Sequence, residues 1–256
     1  MSKPHGVCIF CGGKGLTKEH LWPKWMRPII VFNTEGEHKR LRTTLKSIWP
    51  TSLVEKKTED KTLQGSGINW RLRIVCQTCN GGWMSKVEHN TKPVIQGLLD
   101  ETIRTLDEEQ QAKLAFWATV RTAVYERDDP TWAALTPDEY GYIRSEKKPP
   151  ANWRIWISSQ RAAYWQTRFL HCGSVHGNDV TDRKGPNSQK TLLGINGIAL
   201  LAASSTSSVA DRYLVAVTPR QMKQIWPYIG EIGWPTAQCL SDADMMQIAY
   251  AVPNVR

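Results

Sequence analysis

Two C-x-x-C pairs carry the chemistry this chain advertises: Cys8 and Cys11 in GVCIFCGG, Cys76 and Cys79 in VCQTCNGG. The two sulfurs of such a tight turn reach one ion, and a second pair closes the tetrahedron that structural Zn2+ takes with four thiolates. Disulfides are the competing use of the same residues. The chain starts MSKPHGVC with no apolar signal segment, so a cytoplasmic, reducing setting is expected, where disulfides are rare. Glu19 and His20 follow the first pair, and Asn80 follows the second. A histidine titrates near neutrality, at about 6.5 when unperturbed, and so can take a proton from water. Carboxylate and amide oxygens suit a hard divalent cation such as Mg2+ or Mn2+. Blander uses exist: His20 as a spare ligand beside the knuckle, Asn80 as the cap of a following helix.

The order C-x-x-C, acidic-His, C-x-x-C, Asn resembles the HNH endonuclease superfamily, also called ββα-metal or His-Me finger nucleases. The zinc-knuckle type is the most similar, including phage junction-resolving endonucleases, in which an Asn also follows the last cysteine. The stretches CIFCGGKGLTKEHLWPKWM and VCQTCNGGWMSKVE look like a group of bacterial and phage HNH-type proteins. The resemblance covers about the first 90 residues. It implies an N-terminal treble-clef ββα-metal unit with a structural zinc on Cys8, Cys11, Cys76 and Cys79. It gives His20 the role of general base, and Glu19 and Asn80 that of ligands to a separate catalytic Mg2+ or Mn2+. The implied reaction is hydrolysis of DNA phosphodiesters, leaving a 5′ phosphate and a 3′ hydroxyl. This chain has Glu19 where Asp is commoner in the family. Neighbouring strand residues face opposite sides, so Glu19 and His20 share a site only across a turn or an irregularity.

The elements that must position these residues read as an α+β protein. Residues 1–92 form the HNH-like domain, and 93–256, after Pro93, a helix-plus-antiparallel-sheet domain. Gly12, Gly13 and Gly15 permit the turns of a zinc hairpin. The apolar HLWPKWMRPIIVF is expected beneath the knuckles. A polar insertion at about 33–67, loop or hairpin, offers Lys39, Arg40 and Arg42 to a DNA backbone. INWRLRIVC alternates as a strand; from Asn80 a helix follows, with Lys86 facing a phosphate or solvent. Further on, 106–127 has helical spacing, and Thr136-Pro137-Asp138-Glu139 is a capping box for a helix to about Glu146. WRIWIS, AYWQTRFLHC, KTLLGINGIALLAA and RYLVAVT read as four strands. Thr218-Pro219 and Ser241-Asp242 each read as a helix start. His171, Cys172 and His176 make a weak metal motif, and Cys172 and Cys239 read as buried thiols.

The net charge of +9 is uneven: residues 1–90 carry +8 and the remainder +1. The excess therefore falls on the candidate site, as a polyanionic partner requires. No apolar run reaches the length of a membrane span. The expected function is a metal-dependent DNA endonuclease of HNH type. The alternatives are a non-catalytic zinc module that binds nucleic acid, or an interaction protein that dimerises or takes a protein partner through its C-terminal domain.

Overall fold

The computed structural model describes residues 6–29, 37–48, 53–64, 69–176 and 185–250. The chain forms two compact units: Phe32–Trp70, and Met1–Val31 together with Arg71–Arg256. In chain order, β1 (Leu16–His20) belongs to the larger unit. The smaller holds the antiparallel hairpin β2 (Glu37–Ile48) and β3 (Leu53–Gln64). Back in the larger unit, β4 (Arg71–Cys76) pairs antiparallel with β1, and α1 (Ser85–Leu99) follows a π-helical turn over Cys79–Met84. Next come β5 (Thr105–Leu106), α2 (Glu108–Tyr125) and α3 (Pro137–Glu146). The chain is thus α+β. Pro93 sits inside α1 rather than ending it. A mid-helix proline costs a hydrogen bond and strains the turn before it, but Val94, Ile95 and Leu98 are buried, and their packing outweighs that cost. The expected boundary at 92/93 is therefore crossed by a helix, and the zinc region and the C-terminal half lie in one compact unit.

The core is built round α2. A capping box starts it: the Asp107 carboxylate accepts from the Gln110 amide at 2.8 Å, and the Gln110 side chain accepts from the Asp107 amide at 3.2 Å. From Leu114 to Tyr125 every residue is buried, so the helix is enclosed on all sides rather than half-exposed. Beside it lies a sheet of β6 (Trp153–Gln160), β7 (Thr167–Ser174), β8 (Ser188–Ile195), β9 (Ile198–Ser205), β10 (Lys223–Trp226) and β12 (Cys239–Leu240). Its order is β10-β6-β9-β8-β7, with β12 parallel to β6. Between these last strands, β11 (Ile232–Gly233) pairs with β5. Helices α4 (Ala210–Val217) and α5 (Asp242–Tyr250) supply Tyr213, Leu214, Met245 and Ile248 to a cluster with Trp156, Leu192 and Leu201 of the sheet. Each such side chain, fully buried, contributes roughly 1.5–3 kcal/mol. Among the described residues no helix is long and apolar enough to cross a membrane.

Three sequence readings change here. KTLLGINGIALLAA is a hairpin, not one strand: Ile195 pairs with Ile198 across Asn196-Gly197, and Asn196 has φ +47°. An Asn-Gly pair is what a two-residue hairpin turn demands. RYLVAVT is helical, as α4, because Tyr213 and Leu214 bury together one turn after Ser207 accepts the Val209 amide at 3.2 Å. Packing at a 3.6-residue period outweighs the strand preference of its valines. After Thr218-Pro219 comes β10 rather than a helix. Trp22 packs against Tyr125 and Phe169.

His171 gives the fold a pH dependence. Its Nδ1 lies 2.9 Å from the Thr191 hydroxyl and its Nε2 3.3 Å from the Trp132 carbonyl oxygen. Burial lowers its pKa to about 4. The unfolded chain, titrating near 6.5, binds a proton that the folded chain refuses, so this stability is present above about pH 6.5 and lost as pH falls towards 4. Glu126 works oppositely: burial, against hydrogen bonds from Tyr140, Ala134 and Leu135, raises it to about 7. Comparing His171→Gln with the parent isolates the histidine. The parent should lose about 2–3 kcal/mol more than the variant between pH 7 and 4 in denaturant melts; parallel profiles would refute a buried neutral imidazole.

Candidate metal centre and the residues beside it

The first knuckle is a tight turn: the Cys8 amide donates to Gly13 O and the Gly12 amide to Cys8 O, both at 2.8 Å. Gly12 stands at φ +69°, where a side chain would be strained. The Ile9 amide reaches Ile74 O on β4 at 3.0 Å, which docks the knuckle beside the second pair. The ligand atoms of Cys8, Cys11, Cys76 and Cys79 all lie within 4.8 Å of one another. Cys11 and Cys76 sulfurs are 3.5 Å apart, against about 3.8 Å for the edge of a regular zinc–thiolate tetrahedron. All four cysteines are free, so none is spent on a disulfide. Burial works to raise the Cys76 pKa, but the Cys79 amide and the neighbouring sulfurs outweigh it and bring it to about 7. The Gly13 amide also faces Cys11 Sγ at 3.4 Å. Donor type, spacing and amide support fit a metal ion such as zinc. Phe10 and Trp83 meet edge to face at 4.9 Å, and Lys147 Nζ sits 4.4 Å from the Trp83 ring centre.

From this cluster β1 runs directly to Glu19 and His20. The pairing with β4 shifts between Thr17 and Glu19, then continues with Glu19 opposite Leu72 and His20 opposite Arg71. The irregularity thus precedes the dipeptide, and its two residues stand in consecutive register on opposite faces. Glu19 is buried, at 5% exposure. Its Oε1 accepts from Arg121 Nη2 at 2.9 Å, while Arg121 Nη1 donates to His20 O at 3.2 Å. The same Nη2 lies 3.6 Å from Glu88 Oε1. Two carboxylates therefore flank one guanidinium that is wholly out of solvent. Burial raises the Glu88 pKa, with Arg121 opposing and Glu19 reinforcing the rise. Arg121 and Glu88 were missed as members of the site. Arg121 was legible as a charged residue on the apolar stripe of a helix, and such a residue is buried only with a partner.

His20 is only partly buried, and the exposed Lys24, Arg27 and Arg71 act on it electrostatically. Burial first, then the charges of Lys24, Arg71, Arg27 and Arg121, lower its pKa to about 4. At neutral pH the imidazole is unprotonated. Asn80 lies in the turn before α1, and its amide nitrogen donates to Thr17 Oγ1 at 2.9 Å. Because that hydroxyl donates in turn to Val75 O at 3.2 Å, it must accept from Asn80, which turns Asn80 Oδ1 elsewhere. Asn80 is not a helix cap. Gly82, at φ −97° and ψ −106°, interrupts the turn, so regular α-helix begins only at Ser85.

The remaining candidates are scattered. Lys86 is exposed on α1. Lys39, Arg40 and Arg42 lie on β2, where Lys39 pairs with Thr62, Arg40 with Lys61 and Arg42 with Glu59. The ring nitrogens of His171 are engaged as described, and His176 Nε2 lies 2.9 Å from Ser174 Oγ. Among the described residues they join no cluster of metal-binding type. Cys172 is half-buried and Cys239 exposed, because Cys239 sits on the short strand β12. Set against family models, curated proteins and solved structures, the chain matches none.

Proposed function

We propose that this chain is a metal-dependent DNA endonuclease of HNH type, its β1–β4–α1 region a treble-clef ββα-metal unit stapled by structural zinc. One observation carries the reading: His20 ends the short strand that leads from the four-cysteine cluster, and its imidazole is kept unprotonated by burial and by the charges of Lys24, Arg71, Arg27 and Arg121. A neutral imidazole among cations is what hydrolysis of a phosphodiester asks of a protein. The exposed Lys24, Arg27 and Arg71 would hold the phosphate, and the imidazole would accept the proton of the attacking water. Glu19, through the carboxylate oxygen not bonded to Arg121, and Asn80, through Oδ1, would hold a divalent cation. That cation, Mg2+ or Mn2+, supplies positive charge against the phosphate and the departing 3′ oxygen when bound. Arg121 fixes the Glu19 carboxylate and the His20 main chain together, so the C-terminal half orients the site through α2. Lys86, on the exposed side of α1, is available to a more distant phosphate.

A second reading, a non-catalytic zinc module that binds nucleic acid, draws on the burial of Glu19, its pairing with Arg121 and the consecutive register that turns Glu19 and His20 to opposite faces of β1. A carboxylate satisfied inside the core is a poor ligand for a hydrated cation. Incubating the protein with supercoiled plasmid and added magnesium or manganese separates the two. Endonuclease activity converts the plasmid to nicked or linear forms. Intact plasmid in both metals, with the protein bound to it, selects the second reading.

A further inference from the structure

We infer that Lys147, at the end of α3, is an outer-sphere partner of the metal held by Cys8, Cys11, Cys76 and Cys79, its ammonium offsetting the negative charge of the four thiolates. This rests on the zinc reading of the cysteines and is independent of the nuclease reading. Four thiolates around one Zn2+ leave the site with two negative charges in excess. Cys8, Cys76 and Cys79 are buried, and charge taken out of water needs an opposite charge close by. Groups around the ligands of a metal centre set its affinity nearly as much as the ligands do.

The fold carries Lys147 to the cluster from 68 residues beyond Cys79. Aromatic contacts make the connection. Lys147 Nζ lies 4.4 Å from the centre of the Trp83 ring, inside the roughly 6 Å reach of a cation–π contact. Trp83 belongs to the turn Cys79–Met84, which opens on a ligand cysteine. It meets Phe10, the residue between Ile9 and Cys11 of the first knuckle, edge to face at 4.9 Å. Tyr140 of α3 meets Phe10 in turn, at 5.8 Å, so both knuckles hold the helix that ends in Lys147. Burial first, then Arg144, lowers the Lys147 pKa, and Cys79 opposes them. Among the described residues Cys79 is therefore the group of opposite sign that acts on this ammonium. The backbone supplies a separate sign. Lys147 caps α3 in the left-handed conformation, at φ +55° and ψ +36°, a position that favours Gly. A lysine that only ended the helix would gain from replacement by Gly; strain of this kind persists where the side chain is held by its surroundings.

The test measures the zinc affinity of the full chain by competition with a chromophoric chelator, at low and at high salt. Lys147→Met keeps an apolar stem beside Trp83 but drops the charge. It should bind zinc about tenfold more weakly, the lower end of what the loss of an outer-sphere partner costs. Lys147→Arg keeps both the charge and the ring contact and should stay within about threefold of the parent. Lys147→Gly relieves the backbone while removing the charge, so it should melt no earlier than Lys147→Met and yet lose as much zinc affinity. Lys148→Met, which removes the exposed charge next door, should change affinity less than about twofold. The gap between the parent and Lys147→Met should narrow at about 1 M salt, where screening acts within about 3 Å. Parent-like affinity in Lys147→Gly, equal affinity of the Met and Arg variants, equal loss in Lys148→Met, or a gap indifferent to salt would each overturn the assignment. A parent chain that takes up no zinc overturns it together with the zinc reading. A parent that takes up zinc with an affinity indifferent to residue 147 overturns it alone.

Discussion

Cys76→Ser should cost the protein its bound zinc and much of the stability of its N-terminal region. The knuckle at Cys8–Gly13 is a short turn tied to β4 by the bond from the Ile9 amide to Ile74 O. Little else in it is regular structure, so the metal is its main link to Cys76 and Cys79. Four-thiolate zinc binding in small folding units is worth about 10–16 kcal/mol, and that energy is folding energy. Serine keeps the size of the side chain but offers a poor ligand in place of a thiolate whose pKa is already brought down to about 7. The expected result is less than one zinc per chain by elemental analysis, an earlier melting transition and faster amide exchange across β1 and β4. Phe10 and Trp83, packed edge to face beside the cluster, should report the loosening in tryptophan emission. Cys239→Ser is the matched control: it removes an exposed thiol outside the cluster and should change neither zinc content nor melting. Full zinc at unchanged stability in Cys76→Ser would remove the metal assignment. A two-disulfide account would predict four fewer free thiols in the parent protein under non-reducing conditions, which thiol titration reads directly.

What the sequence revealed, and what it hid, follows from how local each signal is. Thr136-Pro137-Asp138-Glu139 specified α3 to the residue, because a capping box and a proline at the first helical position act within one turn. The reciprocal bonds are present: the Glu139 amide reaches Thr136 Oγ1 at 3.2 Å, and the Thr136 amide reaches Glu139 Oε2 at 3.0 Å. Ser241 and Asp244 announce α5 in the same way. The cysteine pairs were equally plain, since ligand spacing within a knuckle is local even when 64 residues separate the pairs. RYLVAVT misled because its valines favour a strand in isolation, while burial of Tyr213 and Leu214 against the sheet fixes a helix. Pro93 misled for a related reason, as tertiary packing kept α1 intact across it. The Glu19–Arg121–Glu88 cluster was invisible as a group: the sequence separation from Glu19 to Arg121 is 102 residues. Only Arg121 showed as a charge in an otherwise apolar setting.

His20→Ala and Asn80→Ala should both impair cutting, and for different reasons. His20 would act through its imidazole alone: its main-chain carbonyl accepts from Arg121 at 3.2 Å whatever the side chain is. Alanine there leaves the Glu19–Arg121 pair, the four cysteines and the exposed Lys24, Arg27 and Arg71 in place. The variant should therefore keep its zinc, its melting temperature and its affinity for DNA. Cleavage should fall about 10²–10⁴-fold, the usual worth of a general base. Asn80→Ala instead deletes an oxygen ligand and also the bond from Nδ2 to Thr17 at 2.9 Å. Losing that hydrogen bond should lower stability by about 1 kcal/mol, a cost that His20→Ala does not share. Its cleavage defect should shrink as magnesium or manganese is raised, because a weakened site fills by mass action. The His20 defect should not respond to metal at all. Thr17→Val separates the two duties of Asn80, since it removes the hydroxyl that holds the amide without touching the oxygen. If Asn80 only braces β1 against the turn before α1, Thr17→Val and Asn80→Ala should destabilise alike and cut alike. If Asn80 Oδ1 holds a cation, Thr17→Val should still cut within about tenfold of the parent, as a hydrogen bond of this kind is worth about 1 kcal/mol. Equal, metal-independent loss in His20→Ala and Asn80→Ala would leave His20 as base and strip Asn80 of its role. Parent-like cutting by both would place the chemistry elsewhere and return this region to the non-catalytic zinc module.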